Sequence, residues 1–61
     1  MTFVQALTKA KQRAKHRGEP VYIVDDTVDE GICLATEEDA QNFFHSEPIL
    51  AIVHPHGWIE Q

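Results

Sequence analysis

The sequence predicts a small α+β domain with the element order α-β-β-α-β, a three-stranded sheet with two helices packed on it. Three observations predict it. Phe3, Leu7, Ala10 and Ala14 recur at helical spacing through an acid-free first segment. Three short runs of β-formers follow, at residues 21–24, 32–35 and 49–53. Gly18, Pro20, Gly31, Pro48, Pro55 and Gly57 punctuate the boundaries.

Residues 2–17 form the first helix, with Thr2 as N-cap. At 100° per residue its apolar stripe falls within roughly a 60° arc. Lys11 and Lys15 flank the stripe on one side and Arg13 and Arg17 on the other, while Gln5, Lys9, Gln12 and His16 face away. Cations in the last turns suit the helix dipole. Gly18 is a left-handed stop, and Pro20 bars continuation.

Val21-Tyr22-Ile23-Val24 is the strongest strand signal, followed by an acidic hairpin loop from Asp25 to Gly31 and a second strand at residues 32–35. Thr36 caps a second helix whose first turn holds Glu37, Glu38 and Asp39, with Asp39 at capping-box spacing. Ala40, Phe43 and Phe44 form its buried side, and Pro48 forces it to end by Glu47. The 36–48 connection is near the minimum length for a crossover. A right-handed crossover makes the third strand, residues 49–53, parallel to the second. Placed beside the first strand it gives order 2-1-3, with 1-2-3 the alternative. His54-Pro55-His56-Gly57 is a turn, after which Trp58 and Ile59 form a lid or a short edge segment.

Sixty-one residues allow one domain, residues 1–61. Area scaling gives roughly 4,000 Å² for the folded chain, enough for one small core. The single cysteine, Cys33, excludes an internal disulfide framework and a two-cysteine zinc site. No apolar run is long enough to span a bilayer, which points to a cytoplasmic protein without a membrane partner. The basic first segment is amphipathic like a mitochondrial presequence, but it lacks serine and reads as part of the fold.

The apolar runs do not alternate with polar residues, so the strands are covered on both faces. Alternation puts Tyr22, Val24, Leu50 and Ile52 on one face. Val21, Ile23, Ile32, Leu34, Ala51 and Val53 lie on the other. A three-layer sandwich is thin for this length. The economical arrangement places both helices on one face and a second copy, or another protein, on the other. Tyr22, Val24, Leu50, Ile52 and Trp58 are then the dimer or partner face.

Charge is lopsided. All five lysines and arginines, Lys9, Lys11, Arg13, Lys15 and Arg17, precede Gly18, and all ten acids follow it. The net charge is −5. Candidate chemistry is sparse. His45, His54 and His56 are the only metal-ligand candidates, and their spacing is loose for zinc. Asp25, Thr27 and Asp29 echo a calcium loop, but Glu30 stands where that loop needs glycine. Ser46 is the only serine, and no glycine-rich phosphate loop occurs, so neither an enzyme nor a cofactor is expected.

The first functional expectation is a non-enzymatic, acidic protein-interaction or regulatory module. Asp25, Asp26, Asp29, Glu30, Glu37 and Glu38 would meet a basic partner, as an inhibitor imitating nucleic-acid charge would. The second is nucleic-acid binding through the basic helix. Against it stand the acidic body and the lack of aromatics interleaved with the cations. The third is metal binding through the C-terminal histidines.

Overall fold

The computed structural model describes residues 1–26, 31–42 and 47–61. Helix α1, Phe3–Arg17, is held at both ends by its own residues. Thr2 is extended; its Oγ1 accepts from the Gln5 N–H at 3.1 Å, and Gln5 Oε1 accepts from the Thr2 N–H at 2.9 Å. This reciprocal box satisfies two donors the helix leaves unpaired. At the other end Gly18 turns left-handed, with φ of 69°, and donates to the Ala14 carbonyl at 2.8 Å.

Strands β1 (Val21–Asp26), β2 (Gly31–Thr36), β3 (Ile49–Val53) and β4 (Ile59–Glu60) form one sheet in the order β2-β1-β3-β4. Each neighbouring pair is antiparallel. The expected core order 2-1-3 is present, and β2 and β3 are parallel to each other across β1. The sheet has four strands where three were expected. The added strand follows from the turn before it. Gly57 donates to the His54 carbonyl at 2.9 Å, and His54 donates to the Trp58 carbonyl at 2.8 Å. Pro55 suits the second position of that turn, and Gly57 supplies the positive φ of 96° that lets the chain return as a strand.

Helix α1 covers one sheet face. Ala6, Ala10 and Ala14 are fully buried against Val21, Ile23, Ala51 and Val53, with Phe3, Leu7, Ile32, Leu34, Leu50 and Ile59 around them. Helix α2 (Glu37–Asn42) follows β2 directly, and the Thr36 hydroxyl accepts from the Asp39 N–H at 3.1 Å. It packs on β2 and β1, and among the described residues no Cα of α2 comes within 8 Å of α1. Val24, Ala35 and Ala40 are buried outside the α1 cluster. The two helices therefore take opposite faces, which corrects the expectation that both share one. At 1.5 Å per residue, the 15-residue α1 is about 22 Å long, and a six-residue strand is about 20 Å. One helix already spans its face. Phe43 and Phe44, expected on the buried side of α2, lie outside the described residues.

The accessible area is 4165 Å², as a compact chain of this length requires. One irregularity changes the faces. Ile23 pairs with Ala51 but Val24 pairs with Ile49, so Leu50 is an extra residue in β3. The bulge turns Leu50 into the α1 cluster and leaves Ile49 beside Val24. Leu50 is thus not on the face expected of it, and Val24, expected on an open face, is fully buried.

Candidate nucleic-acid interface

The outer side of α1 gathers every lysine and arginine in the chain. Lys9, Lys11, Arg13, Lys15 and Arg17 are exposed, as is His16. Among the described residues none of these lysines and arginines has a carboxylate within 4.0 Å; the ion pair found is His54 with Glu60. The cations fall on two flanks. Lys9, expected to face away, shares a recess with Arg13, beside Ile32, Cys33 and Leu34 of β2. Lys11 and Lys15 line a cleft against the β3–β4 turn, with His54, Pro55, His56 and Gly57.

The acids lie mostly elsewhere. Glu37 and Glu38 are exposed on α2, across the sheet from α1, and with Glu19, Pro20 and Thr36 they line a recess. Asp25 and Asp26 are half-buried at the end of β1, and Asp29 and Glu30 lie outside the described residues. Two layer spacings of about 10 Å each separate α1 from α2. That is more than two screening lengths at physiological salt, about 8 Å each.

The turn carries an aromatic cluster. Trp58 stacks on His54 with ring centres 4.7 Å apart and planes 20° from parallel. His56 meets both rings edge-on, at 5.9 Å from His54 and 6.4 Å from Trp58. His54 Nε2 lies 3.1 Å from Glu60 Oε1, which fixes the imidazole under the indole. Trp58 remains 56% exposed, so the ring face away from His54 is open to solvent. These contacts direct His54 and His56 toward Trp58 and Glu60. Among the described residues no three His, Cys, Asp or Glu side chains gather as metal ligands do. His45 lies outside the described residues.

Of the expected partner face, Tyr22 and Ile52 are half-buried and Trp58 is exposed, on the same sheet face as half-exposed Ile49. Burial first, and then the charges of Glu37 and Glu60, push the Tyr22 hydroxyl above its ordinary pKa of 10.0. A raised value in the fold favours the neutral phenol. Its contribution to stability is therefore whole below pH 10 and is lost as pH rises through the folded value. Tyr22→Phe is expected to shrink the loss of melting temperature between about pH 9 and pH 11. An unchanged alkaline profile would place Tyr22 in water.

The basic stripe is readable as a run of charges. The histidine–tryptophan stack is not, although proline and glycine at the second and fourth turn positions signal a hairpin that brings residues 54 and 58 together. No helix among the described residues is long and apolar enough to cross a membrane. Comparison with protein families, with curated proteins and with solved structures finds no match.

Proposed function

We propose that the chain is a non-enzymatic nucleic-acid-binding module that lays α1 along a phosphate backbone. One observation carries this reading. Every lysine and arginine is exposed on α1 and, among the described residues, has no carboxylate partner, while the carboxylates of α2 occupy the other side of the sheet. The acidic body slows long-range approach, since the net charge is −5. Within a screening length of the α1 surface, the local cations dominate. The β3–β4 turn lies beside the helix, and His54 and His56 line a cleft with Lys11 and Lys15.

Anisotropy of labelled oligonucleotides at 50 and 200 mM salt tests the reading. Four phosphate contacts imply a loss of affinity of about 100-fold across that range. Lys9→Ala combined with Arg13→Ala is expected to flatten the salt slope by about two. Salt-independent binding, or none, refutes it.

A second reading keeps the acidic interaction module, with a basic protein partner or a second copy on the far face. Tyr22, Ile49, Ile52 and Trp58 supply its apolar surface, and Glu37 and Glu60 lie on the same side. Its mark is dependence on the α2 carboxylates rather than on α1.

A further inference from the structure

We propose that the bare half of the sheet face opposite α1 is a seat for one amphipathic helix of another protein, apolar at its centre and basic along its edges. The inference rests on the second reading above, to which it adds the form and chemistry of the partner, and it makes no use of α1.

The seat follows from what α2 leaves uncovered. α2 has six residues, about 9 Å of helix against strands of about 20 Å. It lies over β2 and β1, and among the described residues none of its Cα atoms comes within 8 Å of β3 or β4. Tyr22, Ile52 and Glu60 stand side by side across β1, β3 and β4. Trp58 precedes Glu60 by two residues and so projects from the same face, stacked on His54. Tyr22 and Ile52 are half-buried, and Trp58 is 56% exposed. They form a trough with α2 along one side and the His54–Trp58 stack along the other. Neighbouring helices pack about 8–10 Å apart, which is two strand spacings of about 4.8 Å. A second helix placed beside α2 therefore rests over β3 and β4, on Ile52 and Trp58, and completes the layer that α2 begins.

Charge decides the occupant. The charges of Glu37 on α2 and Glu60 on β4 both reach the Tyr22 hydroxyl, one from each side of the trough. Glu19 and Glu38 line a recess with Glu37 at its α2 side. Glu60 shares its carboxylate with His54, whereas Glu37 and Glu38 have no cation within 4.0 Å among the described residues. All five lysines and arginines are on α1, so none stands on this face. A second copy presenting the same face would set these carboxylates against their equivalents. A second copy presenting α1 would bring cations without an apolar row, because the apolar stripe of α1 is already buried against its own sheet. An amphipathic helix of another protein supplies both, apolar side chains for Ile52 and Trp58 and lysines or arginines for the acidic lips.

Trp58 is the only tryptophan, so its emission reports the seat directly. Three synthetic peptides of equal length are the probes: a leucine–lysine amphipathic helix, a leucine–glutamate amphipathic helix, and a lysine–serine peptide with no apolar face. The leucine–lysine helix is expected to bind one to one, to shift Trp58 emission to the blue, and to weaken as salt rises. The leucine–glutamate helix is expected not to bind, and the lysine–serine peptide to bind about tenfold more weakly. By anisotropy of the labelled leucine–lysine helix, Trp58→Ala is expected to weaken binding about tenfold. Glu37→Lys with Glu38→Lys weakens it by a similar factor, and Lys9→Glu with Arg13→Glu does not weaken it. Circular dichroism checks that each variant folds. If Trp58→Ala does not fold, the blue shift in the wild type and the Glu37→Lys, Glu38→Lys variant decide. Equal binding of the leucine–lysine and lysine–serine peptides overturns the seat and leaves the acidic module standing. Failure of both basic peptides to bind overturns both. A concentration-dependent blue shift without peptide, lost in the Lys9→Glu, Arg13→Glu variant, overturns the proposal by giving the face to a second copy.

Discussion

Ile23→Ala is expected to remove 2–5 kcal/mol of stability, on the order of what a buried Ile to Ala change costs. Ile23 is fully buried in β1, between Leu34 of β2 and Ala51 of β3, beneath the alanine stripe of α1. Substitution leaves a void at the one place where three strands and the helix converge. The alanines above it have no side-chain length with which to fill the gap. A chain of 61 residues has about 3–9 kcal/mol of stability in all. The variant should therefore be partly unfolded at room temperature, or lose about half its urea midpoint. Val4→Ala, at a residue 71% exposed, is the control and should change stability by less than about 0.5 kcal/mol. A loss below about 1 kcal/mol for Ile23→Ala would mean that α1 does not clamp the sheet as described.

The elements were legible because each carries its own signal. Thr2 and Gly18 mark the ends of α1, and the β-branched run after Pro20 becomes the central β1. Strand order followed from the hairpin and the crossover rule. Three features were not legible, each for a physical reason. The β3 sequence is apolar at all five positions, so it has no phase, and a bulge at Leu50 leaves no mark in it. A strand of two residues, Ile59–Glu60, is too short to show a period and reveals itself only through its turn. Ala6 escapes a count of large apolar residues, yet with Ala10 and Ala14 it lets α1 lie flat on the sheet. The candidate site divides in the same way. Its charges are plain in the sequence, whereas their separation from the acids depends on the face α2 takes. The chain decides that by starting α2 directly after β2, on the side of Ala35 rather than of Leu34.

That separation has a consequence for binding. Reversing Lys9, Arg13 and Lys15 to glutamate is expected to weaken oligonucleotide binding by on the order of 100-fold or more at physiological salt, since each lost phosphate contact forfeits its released counterion. The fold should survive, because all three side chains are exposed and have no ion-pair partner among the described residues, and substitutions at such sites usually move stability by less than about 0.5 kcal/mol. Reversing Glu37 and Glu38 to lysine changes the charge by two thirds as much and in the opposite sense, but about two layers away from α1. If the sheet separates the two faces, this second variant should alter affinity by less than about threefold at 150 mM salt and more at low salt, where screening extends further. Both variants are measured against the same labelled strand at two salt concentrations. A large gain from Glu37→Lys and Glu38→Lys at physiological salt would mean that phosphates reach α2, which the opposed faces do not allow. Unchanged binding in the α1 variant, together with loss of a basic protein partner in the α2 variant, would instead transfer the function to the acidic face.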